Sequence, residues 1–113
     1  MTKFKVVLVP FPFDDLSSTK VRPAVCLTDA IGPHNHVVLA FITSRVASPL
    51  LVTDLVLDKR TPGFTATGLR VTSTLQLHRL MTATKSLLVR DLGTLPSSLQ
   101  AQVQDRLRIL FAF

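Results

Sequence analysis

The chain has 113 residues, about the size of one domain, and 47% of them are apolar, which excludes a disordered chain. A single cysteine, Cys26, excludes both an internal disulfide framework and a multi-cysteine zinc site. Thirteen Lys and Arg residues against seven acidic ones give a net charge of +6. Such a charge favours a polyanionic partner, most often nucleic acid, although an acidic protein or a membrane surface would also satisfy it.

The apolar stretch Val6–Phe13 near the N-terminus does not have the pattern of a signal peptide. Pro10 and Pro12 interrupt it, and no small-residue cleavage site follows. The uncharged runs elsewhere are too broken by polar residues to span a bilayer. Together with the lone cysteine, these features predict a cytoplasmic protein without membrane contact, and we expect a single domain over residues 1–113.

Strand patterns dominate the first half of the chain. The runs Val6–Val9, Arg22–Leu27 and Val37–Ile42 are rich in β-branched or other apolar residues, and they predict three strands. Pro10 is expected to end the first strand, because proline cannot donate a ladder hydrogen bond. Pro23 is expected near the start of the second strand or at a sheet edge.

The strand patterns continue in the second half. Leu50–Leu57 and Leu87–Val89 each predict a strand, and the apolar positions in Leu69–Leu80 predict one or two more. Asp58–Gly68 contains proline and glycine, so it is expected to be a loop or a short helical turn. Six or so short strands with such turns predict a small barrel or a sandwich.

The C-terminal segment has a helical pattern instead. Ser97, with Gln100 three residues later, matches the capping box and is predicted to cap the start of a helix. The apolar residues that follow recur every three or four positions, as on one face of a helix: Leu99, Val103, Leu107 and Leu110. The predicted fold class is therefore mainly β (α+β), a small β-barrel of about six short strands with a C-terminal helix.

The residue types available for chemistry are arginine, threonine, serine and histidine. No glycine-rich phosphate loop or paired-histidine helix motif is found, and the sequence predicts no metal and no cofactor. His34 and His36 are interpreted as solvated loop residues, and Cys26 as a buried, inert thiol. Arginine and hydroxyl groups suit phosphodiester chemistry without a metal, because RNA supplies its own nucleophile, the 2′-hydroxyl.

The chain resembles the MazF/PemK family of toxin endoribonucleases over essentially its whole length. The resemblance is carried by an ordered series of short segments: Val6–Phe13, Asp14–Lys20, Arg22–Val25, Phe41–Ser44, Thr67–Leu69, Ser73 and Val89–Leu95. Each segment is a weak signal alone, but their order along the chain is fairly specific.

This resemblance implies an SH3-like β-barrel with a terminal helix, working as a homodimer. It also implies metal-independent cleavage of single-stranded RNA at short sequences, leaving a 2′,3′-cyclic phosphate and a 5′-hydroxyl. A cognate antitoxin protein would neutralise the toxin. The family's catalytic arginine and threonine match Arg22 and Thr43, so Arg22 would stabilise the phosphorane and Thr43 would hydrogen-bond the scissile phosphate.

Five further residues are candidates for contact with RNA: Phe13, Lys20, Ser44, Arg45 and His78. Each also has an ordinary structural interpretation. Phe13 could be a core anchor, Lys20 a solvated lysine, and His78 a structural histidine.

The chain departs from the family pattern at three places: Phe4-Lys5 replaces Gly-Asp, Ser17-Ser18 replaces Glu-Gln, and Gln76-Leu77-His78 replaces an Arg-x-Asp element. The identity of the general base is therefore left open, although His78 is chemically suited to the role. Two other functions also stay open. One is a toxin like the gyrase poison CcdB, which resembles this fold, and the other is an RNA-binding barrel without catalysis.

Overall fold

The computed structural model describes residues 1–11, 20–46 and 48–112. Six strands form one antiparallel sheet, and a single helix follows them at the C-terminal end. The strands and helix are β1 (Lys5–Phe11), β2 (Lys20–Cys26), β3 (His36–Thr43), β4 (Asp54–Leu57), β5 (Ser73–Thr84), β6 (Arg90–Thr94) and α1 (Ser97–Phe111). The strand order is β4-β5-β3-β2-β1-β6, and the sheet curls into a half-barrel. The mainly β fold with about six strands and a C-terminal helix is thereby confirmed.

The first strand runs further than predicted, through Pro10 to Phe11. The carbonyl oxygen of Leu8 accepts a hydrogen bond from Val89 N, on the β6 side of β1. By the alternation of the strand, Pro10 faces that same side, but β6 pairs with β1 only as far as Leu8. The missing amide hydrogen of Pro10 therefore breaks no ladder hydrogen bond, and the strand continues.

The two faces of the sheet have different neighbours. One face packs against α1 and forms the main core, with residues such as Val25, Leu75 and Val103 fully buried. The opposite face, which we call the far face, carries a smaller buried cluster of Val9, Ala24, Leu39 and Phe41. Because side chains alternate along a strand, neighbours in sequence belong to different faces.

The predicted strand at Leu50–Leu57 is shorter than its composition suggests. Only Asp54–Leu57 forms a strand, because a turn occupies the residues before it. Asp54 Oδ2 accepts a hydrogen bond from Leu51 N at 2.9 Å, and Asp54 N donates to Leu51 O at 3.0 Å. An aspartate that bonds nearby backbone in this way favours a turn over a ladder, so Leu51 and Val52 lie exposed.

The predicted strand at Leu87–Val89 is wrong, since the strand begins at Arg90. Lys85–Leu87 forms a 3₁₀ turn, and Leu88 then packs on the far face against Val7 and its neighbours. The 3₁₀ turn thus places the half-buried Leu88 against this cluster and delays the start of β6 to Arg90. The expected helical turn in Asp58–Gly68 is confirmed as a 3₁₀ turn at Phe64–Thr67.

The capping box at the start of α1 is also wrong. Pro96 occupies the capping position without a side-chain hydrogen bond, and Ser97 is the first helical residue. Gln100 instead donates its Nε2 hydrogen to Leu95 O at 2.8 Å. The apolar stripe is confirmed, with Leu99 and Val103 buried. No helix among the described residues is both long enough and apolar enough to cross a membrane.

Cys26 is fully buried at the end of β2, as expected from its apolar surroundings. Burial raises the pKa of the Cys26 thiol to about 11. We predict that the folded protein reacts with a thiol reagent at pH 8 at least about tenfold more slowly than the protein unfolded in guanidinium, because the thiolate is the reactive species. Equal rates in the two states would show that the β2 end is open to solvent.

Candidate active site

A cavity of about 370 Å³ opens where β2 begins and β3 ends. The side chains around it come from β2, β3, the turn after β3, and β5. They are Arg22, Phe41, Ile42, Thr43, Ser44, Arg45, Gln76 and Arg79. Most of these groups are polar or positively charged, so the cavity suits an anionic ligand rather than an apolar one.

The strand register explains why these residues meet. Arg22 precedes Ala24 by two residues, so both point to the far face, and Ala24 pairs with Phe41 of β3. Phe41 pairs in turn with Gln76 of β5, which places Gln76 on the same face. Thr43, two residues after Phe41, completes the row. Three strands thus deliver their side chains to one place on the far face.

Thr43 is the last residue of β3, and it is half-buried. Its Oγ1 accepts a hydrogen bond from Arg45 N at 3.3 Å, which orients the hydroxyl and ties it to the turn that follows. A hydroxyl oxygen that accepts in this way still has its own hydrogen to donate. Thr43 can therefore donate a hydrogen bond to a phosphate oxygen in the cavity.

Three arginines, Arg22, Arg45 and Arg79, give the cavity its charge, and all three are exposed. Arg79 Nη1 donates to Gln76 Oε1 at 3.3 Å, which ties this guanidinium to a half-buried side chain. No carboxylate is among the described residues that line the cavity. Guanidinium groups bind phosphate through paired hydrogen bonds, so the arrangement can hold a phosphodiester and stabilise charge that develops on it.

The structure brings four of the seven predicted site residues to this cavity: Arg22, Thr43, Ser44 and Arg45. Lys20 lies at the start of β2, two residues before Arg22, and does not line it. His78 does not line it either. Phe13 lies outside the described residues.

Sequence reasoning missed Gln76 and Arg79 as cavity residues. The pairing between β3 and β5 is irregular here: Ala40 pairs with Leu80, whereas the next residue, Phe41, pairs with Gln76. Three residues of β5 therefore bulge out between two adjacent pairs, which brings Arg79 back towards Gln76. The only sequence signal for this part of the site was the positive charge of Arg79. Whether its side chain points to the cavity depends on the bulge, which the sequence does not show.

His78 lies in the same bulge and faces β4. Its Nδ1 is 3.9 Å from Oδ1 of Asp54, whose side chain is 2% exposed, whereas that of His78 is 36% exposed. Asp54 pairs with Gln76 across the strands, so the carboxylate lies on the cavity's side of the sheet. The two remaining histidines, His34 and His36, are exposed, with ring centroids 5.8 Å apart. His36 was expected in a loop but is the first residue of β3, at the opposite end of that strand from Thr43.

The fold and the cavity together define a small, basic half-barrel whose cavity is lined mostly by polar and positively charged side chains. A family model described as PemK-like, MazF-like toxin of type II toxin-antitoxin system matches residues 2–111. The chain therefore belongs to the PemK/MazF-like toxin family. Among the curated proteins, no sequence matches it.

Solved structures show the same fold. The Mycobacterium tuberculosis toxin MazF-mt6 superposes with a TM-score of 0.73 at 22% identity, over 96% of this chain and 97% of that chain. An endoribonuclease in complex with its cognate antitoxin, from a mycobacterial species, has a TM-score of 0.71 at 14% identity, over 100% and 96% of the two chains. The MazE–MazF structure from Deinococcus radiodurans has a TM-score of 0.71 at 17% identity, over 100% and 97%.

Proposed function

We propose that this protein is a sequence-specific, metal-independent endoribonuclease toxin that cleaves single-stranded RNA. The observation that carries the proposal is the cavity, where Arg22 and Thr43 meet on the far face of a fold that belongs to a toxin family. The products are a 2′,3′-cyclic phosphate and a 5′-hydroxyl end. The protein works in the cytoplasm.

In this mechanism the RNA supplies the nucleophile and the protein supplies the charge. The 2′-hydroxyl attacks the adjacent phosphorus, and negative charge builds up on the phosphate oxygens. Arg22 stabilises that charge with its guanidinium and Thr43 holds the phosphate through its hydroxyl. Arg45 and Ser44 bind the neighbouring backbone of the RNA strand, and Lys20 and Phe13 are two further candidates for contact with RNA.

The proposed partners follow from the charge and from the relatives. A net charge of +6 suits RNA and equally suits an acidic segment of an antitoxin laid across the cavity. Two of the solved structures with this fold are described as toxin–antitoxin complexes. We propose a cognate antitoxin that occupies the cavity, and a homodimer as the working form of the toxin.

The proposal is tested by incubating the protein with a long mixed-sequence RNA in EDTA and mapping the ends. We expect discrete cuts at one short sequence, with cyclic phosphates on the upstream fragments. Added Mg²⁺ is expected to leave the cut sites unchanged. RNA that is bound but stays intact would contradict the nuclease and support the binding barrel, which is recognised by a steep salt dependence in a gel shift.

A DNA supercoiling assay distinguishes the proposed endoribonuclease from the remaining alternative, a toxin that acts on gyrase like CcdB. An endoribonuclease of this kind leaves DNA gyrase active, whereas a protein that acts like CcdB inhibits it. Inhibition of gyrase together with intact RNA would overturn the proposed function in favour of that alternative.

A further inference from the structure

Asp54 is a buried carboxylate beside the cavity, and one of its oxygens faces a histidine. Oδ2 accepts a hydrogen bond from Leu51 N at 2.9 Å, which holds the carboxylate in place. Oδ1 has no hydrogen-bond partner within the described part of the chain, and it lies 3.9 Å from Nδ1 of His78. A buried carboxylate oxygen is unfavourable without a donor. The 3.9 Å separation is longer than a hydrogen bond, and Nδ1 of His78 is a possible donor that faces Oδ1 across it.

His78 does not line the cavity itself, but it lies on β5 between two residues that do. Gln76 and Arg79, which precede and follow His78 along β5, both line the cavity. Asp54 pairs with Gln76 across the strands. The His78 side chain is 36% exposed, so part of the ring is accessible to solvent.

We infer that His78 and Asp54 form a proton-transfer dyad for RNA cleavage, with His78 as the general base and Asp54 as its positioning residue. This inference rests on the proposed function. A carboxylate that accepts from Nδ1–H fixes the neutral imidazole as the tautomer whose Nε2 carries the lone pair. Nε2 is then the atom that accepts the proton of the 2′-hydroxyl.

The cleavage step needs no reactant other than the RNA and water. The O2′–P bond forms as the P–O5′ bond breaks, and the proton of the 2′-hydroxyl moves to His78 Nε2. The 5′-oxygen leaves with a proton taken from solvent, and His78 returns its own proton to water before the next cycle. Nothing is oxidised or reduced. The Asp54 carboxylate balances the positive charge that the imidazole gains in the step.

The charged groups around His78 come from three elements. Asp54 faces it from β4, and Arg106 of α1 donates its Nε hydrogen to the Asp54 carbonyl oxygen at 3.3 Å. Arg79, the next residue on β5, donates to Gln76. The β3 residues paired with this part of β5 are apolar. The carboxylate of Asp54 is therefore the acidic group that faces the ring.

The test measures single-turnover cleavage between pH 5 and pH 9 for the wild type and for His78→Gln and Asp54→Asn. In the wild type we expect the rate to fall at acid pH as the imidazole takes up a proton. His78→Gln is expected to lower the rate about 100-fold at pH 8 and to remove that acid limb. Asp54→Asn is expected to lower the rate as well, because an amide does not hold the imidazole in the tautomer that the reaction needs.

Binding and fold are measured alongside. Affinity for an RNA with 2′-deoxy at the cut site is expected to stay within about threefold in His78→Gln, since a base acts mainly on the chemical step. His34→Gln is the matched control, because His34 is an exposed histidine outside the cavity, and its pH profile is expected to match the wild type. Circular dichroism checks that the buried Asp54 variant folds.

Two results would overturn the dyad while leaving the nuclease intact. One is a His78→Gln variant that keeps the acid limb, which would give His78 a structural role only. The other is an NMR spectrum of the ring nitrogens that shows hydrogen on Nε2 in the neutral form, a measurement that needs no cleavage and does not depend on the Asp54 variant. Wild-type protein that leaves RNA intact would overturn the proposed function and the dyad with it.

Discussion

Replacing Arg22 with alanine is expected to lower RNA cleavage by roughly 100- to 1,000-fold, the usual cost of losing one donor to developing charge. Arg22 lines the cavity and is exposed, so its removal leaves the packing of β2 in place. The stabilised charge grows between the ground state and the transition state, and for that reason the loss should fall mainly on kcat. Single-turnover cleavage of the mapped RNA sequence measures it.

Arg108→Ala is the matched control for this variant. Arg108 is an exposed arginine of α1, on the helix side of the sheet, and its Nη1 lies 3.7 Å from Asp105. Both substitutions lower the net charge of +6 by one unit, so a general electrostatic effect on RNA binding should be the same in the two. Equal activities of the two variants would show that Arg22 has no role beyond its charge.

Replacing Gly93 with alanine is expected to lower the free energy of unfolding by about 3 kcal/mol. A Cβ at Gly93 would lie 2.0 Å from the carbonyl oxygen of Ala66, and 2.7 Å from the carbonyl carbon of Thr67. Both atoms belong to the backbone of the 3₁₀ turn, which cannot move aside as a flexible side chain does. Either β6 or the turn must therefore shift. Denaturation in urea measures the change.

Gly32→Ala is the control for Gly93→Ala. It distinguishes the effect of the close contact at Gly93 from the loss of stability that replacing any glycine can cause. Gly32 has a φ of +71°, and a Cβ there would meet nothing within 4 Å. Its substitution carries only the backbone strain of a left-handed residue, about 1 kcal/mol. A Gly93→Ala variant no less stable than Gly32→Ala would contradict the close packing of β6 on the turn.

Much of the fold was predictable from local patterns. The run at Val37–Ile42 and the stripe from Leu99 to Val103 were assigned correctly, because apolar spacing reflects which side of an element is buried. The failures occur where a side chain has a partner that the spacing does not show. Asp54 bonds to Leu51 N and shortens β4, and the half-buried Leu88 packs on the far face instead of continuing a strand.

The residues of the candidate site also fall into two groups, those that the sequence predicted and those that only the structure revealed. Arg22 and Thr43 were predicted because they lie in short segments whose order along the chain resembles a known family. The sequence alone therefore determined the family resemblance, the basic character of the chain, and most of its strands, since each of these depends on residue types and local spacing.

Only the tertiary structure decided which other residues lie near Arg22 and Thr43. A bulge of three residues in β5 directs Arg79 to the cavity, and the pairing of β4 with β5 sets the Asp54 carboxylate near His78. Bulges and strand register depend on contacts between residues far apart in the chain. Such contacts form only when the whole sheet assembles, so no local pattern around position 54 or 78 could reveal them.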